Sequence, residues 1–304
     1  MNLILREQKN SMLLDNKLTL GTAKLGAPEY GCSDGYTLKN PLQFLLKSLN
    51  LGIESIDTSP RYGNSEELIG KALKLSNKKT FISSKIDNLM PNDAKTPEYM
   101  INSVMSSTHK LGTDIDICYL HQNEIEIISD KYVHEGIRLL KNRNLIKEVG
   151  TSIYTREELM YTLDCGIYEW VQIPVNILDT SLYNHVINHK SKIKVAARSI
   201  FLQGIILNYQ WARERVKKHN ELLKAINELN DLCLTYGVSI QQLSVAYLAS
   251  LDQINKIIIG TISDQKLREN ISSVKIKLDT HLISAIDKIS SVEKPWTNPR
   301  GWQF

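Results

Sequence analysis

Short apolar runs alternate with amphipathic segments from one end of the chain to the other. Apolar runs of about four to eight residues bounded by turn residues read as buried strands, and apolar positions three and four apart read as helix faces. Strands are predicted at Leu18–Gly21, Ile53–Asp57, Thr80–Lys85, Ile115–His121, Ile146–Thr151, Trp170–Pro174, Ile193–Arg198 and Lys256–Gly260. Helices are predicted at Pro41–Leu51, Ser65–Leu75, Pro97–Leu111, Tyr132–Arg143, Arg156–Cys165, Ser181–Lys190, Ala212–Tyr236, Ile240–Leu251 and Ser263–Ser273.

Eight strands, each followed by helix, predict the α/β class and a (β/α)8 TIM barrel rather than an open sheet. A doubly wound sheet would carry a GxGxxG turn after its first strand. The first turn here reads GTAKLGAPEYG, with the wrong glycine spacing and no early acidic partner. No linker rich in Pro, Gly or Ser interrupts the 304 residues, so a single domain is expected. Residues 1–17 then form an extension and lead-in, and 18–304 form the barrel with its C-terminal tail. Met12 is an alternative start, which would make 1–11 a loose extension.

Composition sets limits without choosing a function. Hydrophobic residues make up 42% and charged residues 23% of the chain, enough for a full core. A net charge of +4 suits a phosphate-bearing ligand and requires neither nucleic acid nor a membrane as partner. Cys32, Cys118, Cys165 and Cys233 lie far apart, with no CxxC pair and no histidine at metal-ligand spacing. Reduced thiols in a cytoplasmic protein, and no metal site, are expected. The opening MNLILREQKNSMLLDN has short apolar patches broken by charge, so it reads as neither a signal peptide nor a membrane span.

Candidate chemistry concentrates at predicted strand ends. In IDTSPRYGNSEELIG, Asp57 closes the second strand and Tyr62 follows in a short loop, before a helix that Asn64 or Ser65 can cap. Glu66 or Glu67 would favour the first turn of that helix. Lys85 closes the third strand and His121 the fourth. Taken singly, a strand-end Asp is often a loop cap, a loop Tyr a packing residue, a Lys solvated and a His a satisfied core residue. Barrel geometry instead brings all four to one rim, where strand C-termini face the active-site mouth.

Such a set suits carbonyl reduction. A phenol is a weak acid, with an ordinary pKa of about 10. An adjacent ammonium, itself held by Asp57, favours the phenolate and helps Tyr62 give up its proton to a carbonyl oxygen. His121 would orient that carbonyl. Hydride has to come from a nicotinamide cofactor, because no side chain supplies it.

These motifs resemble those of the aldo-keto reductase family, bacterial type, over essentially Leu18 to the C-terminus. The family's G-T-x-x-L-G appears as Gly21 to Gly26, and D-T-A-x-x-Y-G-x-S-E as Asp57 to Glu66, with Ser59 in the alanine position. FISSK and YLHQN supply the lysine and histidine. The resemblance implies a catalytic tetrad of Asp57, Tyr62, Lys85 and His121, with Tyr62 as acid. It implies that Gly21, Thr22 and Asp57 also touch the cofactor, and that Ser152 and Gln172 hold the nicotinamide amide. Ile153 stands where the family usually has Asn, and Arg198 where many members stack a Tyr on the nicotinamide. Ser199, Phe201, Gln203 and Gly204 would line the pyrophosphate. IIIGTISDQKLREN would place Gly260, Thr261, Ser263, Lys266, Glu269 and Asn270 at the adenosine end. On the residues alone, that last segment reads as an ordinary strand, turn and amphipathic helix.

The implied function is NADPH-dependent reduction of an aldehyde or ketone, a sugar or sugar derivative among the candidate substrates. NADH is the alternative cofactor, because Thr261 and Ile262 replace a customary basic residue and leave Lys266 to read the extra phosphate. The alternative reading is a non-catalytic nicotinamide-cofactor-binding sensor or regulatory protein on the same fold. A hydrolytic barrel lacks support, with no metal ligands or paired carboxylates. The tail KPWTNPRGWQF, with Trp296, Arg300 and Trp302, would roof the mouth or pack the barrel bottom.

Overall fold

The computed structural model describes residues 17–26, 38–208, 210, 214 and 220–290. Eight parallel strands close into one barrel in sequence order: β1 (Leu18–Gly21), β2 (Ser55–Asp57), β3 (Phe81–Ile86), β4 (Ile115–Leu120), β5 (Ile146–Ser152), β6 (Trp170–Pro174), β7 (Lys194–Arg198) and β8 (Ile254–Gly260). Closure is made by β1 against β8, where Gly21 stands opposite Gly260. The (β/α)8 expectation is met, and each predicted strand is present with ends shifted by at most two residues.

The long helices follow the apolar spacing. Helix Thr96–Leu111 buries Met100, Ile101, Val104 and Leu111, a repeat of three and four that turns one face to the barrel. Its C-cap Gly112 takes φ +66, the left-handed conformation in which glycine meets no steric penalty. Helix Arg156–Asp164 begins with a capping box, Thr155 accepting from the Glu158 amide while Glu158 reaches back to Thr155.

The helices depart from the expected elements in places. Ser181–Lys190 stops at Ile187. Asn64 occupies the N-cap of helix Ser65–Ser76 without a side-chain bond, and Ser65, the other expected cap, turns its Oγ inward to donate to Thr22 Oγ1. Helix Thr280–Ser290 was not expected; it is held by Leu282 and Ile286 in an outer cluster with Leu202, Ile205, Ile206 and Leu229. The tail residues Trp296, Arg300 and Trp302, the segment 1–11, Cys32 and the expected helix start at Ala212 lie outside the described residues.

Among the described residues no group of His, Cys, Asp and Glu could hold a metal ion, and Cys118, Cys165 and Cys233 are free thiols. No single helix among them is long and apolar enough to cross a membrane.

Candidate active site

The C-terminal ends of β2 and β3 place two opposite charges side by side. Lys85 Nζ, buried with its side chain 1% exposed, donates to Asp57 Oδ2 at 2.6 Å and to the Thr58 carbonyl at 2.8 Å. The second carboxylate oxygen, Asp57 Oδ1, accepts from Ser83 Oγ at 3.1 Å and from Gln172 Nε2 at 3.0 Å. Ser152 Oγ in turn donates to Gln172 Oε1 at 3.3 Å. A polar chain therefore crosses the barrel from β5 through β6 to β2 and β3, with every oxygen of Asp57 engaged. Burial alone would push the Lys85 pKa down, but the charges of Asp57 and Tyr62 outweigh it and the ammonium is held above its usual range.

Tyr62 and His121 complete the group. Lys85 Nζ lies 5.1 Å from the centroid of the Tyr62 ring. The His121 imidazole meets that ring edge to face, with centroids 6.1 Å apart and planes at 87°. Burial, followed by the repulsion of Lys85, pushes the His121 pKa down to about 4, with Asp87 opposing and Arg61 adding to the depression. The imidazole is therefore neutral near pH 7, a hydrogen-bonding group rather than a cation.

Two glycines fix the loop that carries Tyr62. A Cβ on Gly26 would sit 1.6 Å from the Tyr62 carbonyl oxygen, and one on Gly63, at φ +53, would sit 2.5 Å from the Gly26 carbonyl oxygen. Only bare backbone can approach so closely. Thr22 ties the same corner to β2, its amide and its hydroxyl both donating to the Asp57 carbonyl at 3.0 Å. Thr58 and Ser65 hydroxyls, 3.1 Å apart, complete the knot. Glu66 turns inward rather than lying on the helix surface, and accepts from Ser84 Oγ at 2.7 Å.

A cavity of about 870 Å³ runs from Asp57 and Tyr62 along the barrel rim to the β1–β8 seam. Of the sequence-predicted cofactor residues it is lined by Gly21, Thr22, Asp57, Gln172, Arg198, Ser199, Phe201, Gln203, Gly204, Gly260, Thr261, Ser263, Lys266 and Asn270. Lys85, His121, Ser152 and Glu269 are not on its wall. Lys85 and Ser152 are buried and bond to Asp57 and Gln172, which do line it. Glu269 points away and accepts from Ser239 Oγ, the cap of helix Ile240–Ser250, at 2.7 Å.

Arg198 is firmly placed. Its guanidinium stacks 3.8 Å from the centroid of the Tyr154 ring, and Nη2 donates to the Ile153 carbonyl at 2.7 Å. Its buried Nε has no hydrogen-bond partner among the described residues. The loop beyond turns through Ser199, Leu202 and Gln203, all with φ between 48° and 58°, and Gly204 at φ 100°. Non-glycine residues adopt that region only where the surroundings impose it.

One wall was not anticipated. Lys39, Asn40 and Gln43, at and beside the start of helix Pro41–Asn50, and Lys47 in its last turn line the cavity, and Lys47 Nζ pairs with Asp264 Oδ2 at 2.8 Å. The dipeptide Asn40-Pro41 marks the helix start, with Asn40 accepting from the Gln43 amide at 3.0 Å. That the helix leans on the start of helix Asp264–Ser273 follows from barrel closure and has no signal in the local sequence. With Lys24, Lys39, Lys47, Arg198 and Lys266 against Asp57 and Asp264, cations outnumber carboxylates on the wall.

A closed parallel barrel carries a Lys–Asp pair, a phenol and a neutral imidazole at its C-terminal rim, the end at which barrel enzymes place their active sites. The chain belongs to the Aldo/keto reductase family, whose profile matches residues 17–291. It is 25% identical over 268 residues to the NADH-specific methylglyoxal reductase of Escherichia coli, covering 77% of this chain and 82% of that one. It is 26% identical over 261 residues to D-arabinose 1-dehydrogenase of Saccharomyces cerevisiae, covering 78% and 77%. Among solved structures, the glycerol dehydrogenase of Gluconobacter oxydans has the same fold, with a TM-score of 0.70 and 21% identity over 90% of each chain. A thermostable aldo-keto reductase solved with the inhibitor epalrestat matches with a TM-score of 0.69 and 22% identity over 90% of this chain and 95% of that one.

Proposed function

We propose that this protein reduces a small aldehyde or ketone to an alcohol, with NADPH as the preferred hydride source and Tyr62 as general acid. The observation that carries the reading is the buried Lys85–Asp57 pair at 2.6 Å with its ammonium 5.1 Å from the Tyr62 ring centroid. A charge that cannot leave the Tyr62 environment stabilises phenolate, and so makes the phenol a better donor than a free tyrosine. His121, neutral by virtue of its depressed pKa, can hydrogen-bond the carbonyl oxygen without competing as an acid.

The residues present fit a nicotinamide dinucleotide. Gly260 has nothing within 4 Å of a would-be Cβ, which leaves its backbone bare to a ligand. Lys24, Lys39 and Lys266 supply charge for phosphates, and helix Asp264–Ser273 opens with its amides toward the cavity end lined by Ser263. Bound there, the reduced cofactor would supply the hydride. Arg198 and Gln172 would border the nicotinamide end, beside Asp57 and Tyr62, while Lys266 would meet the adenosine ribose. The relatives named for methylglyoxal and arabinose support a small oxygenated carbonyl, a sugar derivative included.

The test is a panel of aldehydes, ketoses and activated sugars, followed by loss of dinucleotide absorbance, with wild type and Tyr62→Phe in parallel. Turnover in the wild type should fall about 10²–10⁴-fold in Tyr62→Phe, the usual contribution of a general acid, while cofactor affinity measured by fluorescence is kept. Near-wild-type turnover in the variant would remove Tyr62 from the mechanism. Cofactor binding with no turnover across the panel would instead favour a sensor.

A further inference from the structure

Ser59 is completely buried, two residues after Asp57, at a position where the D-T-A pattern carries alanine and therefore no hydroxyl. Its Oγ lies 3.3 Å from His121 Nδ1 and 3.2 Å from the Arg61 amide nitrogen. An amide can only donate, so the Arg61 N–H occupies an acceptor position of the hydroxyl. A second lone pair stays open, but His121 Nδ1 is the one acceptor within reach of the hydroxyl proton among the hydrogen bonds of the described residues, and a hydroxyl buried here without donating would lose a hydrogen bond that water cannot replace.

Asp87 offers the opposing preference. Its Oδ2 is 3.9 Å from Nδ1, and a carboxylate there favours a proton on that nitrogen. The distance exceeds that of a hydrogen bond, however, and the same oxygen lies nearer to the exposed Arg61 guanidinium, at 2.9 Å, although it makes no hydrogen bond among the described residues. Lys85 adds a second positive charge that repels any further proton on the ring, and Asp57 is spent on Lys85. The remaining neighbour, Tyr62, meets the imidazole with its ring edge to face. The balance of distances therefore lies with Ser59.

We infer that Ser59 is a positioning residue: its hydroxyl donates to Nδ1 of His121 and holds the neutral imidazole with its proton on Nε2. Nε2–H is then the ring's one donor, fixed in direction by the Ser59 bond and by Tyr62. The inference deepens the proposed carbonyl reduction, in which that donor would meet the substrate oxygen, but the tautomer itself exists in the cofactor-free protein.

The experiment is a ¹⁵N–¹H spectrum of histidine-labelled, cofactor-free protein near pH 7, with His121→Gln identifying the His121 signals. In wild type, Nδ1 should resonate as an unprotonated and Nε2 as a protonated ring nitrogen. Ser59→Ala should move Nδ1 toward the protonated range as the proton shifts to face Asp87, and Ser59→Thr should restore it. With a carbonyl substrate, Ser59→Ala should lower kcat by about tenfold or more and leave KM within about twofold, the pattern of an interaction that orients the reacting group. A wild-type proton on Nδ1, or unchanged nitrogen shifts in folded Ser59→Ala, overturns the assignment. A shifted tautomer with full kcat overturns the positioning role. If Ser59→Ala does not fold, the wild-type spectrum and Ser59→Cys, whose thiol is a weak donor, decide the tautomer in the same way. A protein that reduces no carbonyl still gives the spectrum, so failure of the inference and failure of the proposed function are read separately.

Discussion

Asp57 and Lys85 are each costly to bury and tolerable only together. Removing one partner of such a pair typically costs about 3–5 kcal/mol, because the other charge remains in a dry site. Lys85→Met should therefore destabilise the fold by about that amount in urea denaturation and slow the chemical step, and adding Asp57→Asn should recover part of the stability. A Lys85→Met protein as stable as wild type would mean that Asp57 takes no uncompensated charge into the interior. His121 contributes a pH dependence. Its folded pKa of about 4 lies below the ordinary 6.5, so the unfolded chain takes up the proton first as pH falls. The neutral ring's contribution is fully present above pH 6.5 and is lost as pH drops towards 4. Wild type should lose on the order of 1–3 kcal/mol across that window relative to His121→Gln. Denaturation midpoints for the two proteins at several pH values check this, and parallel curves would contradict it.

At the scale of elements, the short corner Ala23–Gly26 acts as a template for the Tyr62 loop. Gly26→Ala forces a methyl into the Tyr62 carbonyl, and backbone on both sides leaves nothing flexible to move. The loop must shift, which should cost about 1–3 kcal/mol in stability and lower kcat more than it raises KM, since the displaced group is the proposed proton donor. Steady-state kinetics with a thermal melt on Gly26→Ala decides it; unchanged kcat would show that the Tyr62 phenol does not depend on this contact. The pattern G-T-x-x-L-G is visible in the chain, but the reason for its last glycine is a backbone contact with a residue thirty-six positions on, and no local property of the sequence states it.

For the whole molecule, closure of β1 on β8 assembles a cavity whose charge comes from both ends of the chain. Lys47 pairs with Asp264 there, and in the proposed reading Lys266, beside the start of helix Asp264–Ser273, is the cation that meets the ribose phosphate. Lys266→Ala should weaken NADPH binding by about 1–3 kcal/mol, the scale of a charged hydrogen bond, and barely alter NADH binding. Fluorescence titrations of both dinucleotides against both proteins test this; equal losses, or a wild type that prefers NADH, would show that Lys266 does not distinguish them.

What the sequence determined by itself was the alternation of apolar runs and amphipathic segments, which specifies eight strand–helix units and hence the barrel. It also placed Asp57, Tyr62, Lys85 and His121 at neighbouring strand ends, because a strand terminus is a local property. Tertiary structure decided which groups touch. Gln172 reaches Asp57 across 115 positions, Glu269 turns to Ser239, and Ser59 rather than Asp87 meets His121 within hydrogen-bond distance. Helix Thr280–Ser290 and the wall built by Lys39 and Lys47 escaped sequence reading for the same reason. Periodicity reports which face of an element is apolar, whereas partners distant in sequence are chosen only when the barrel closes and side chains compete for the same space.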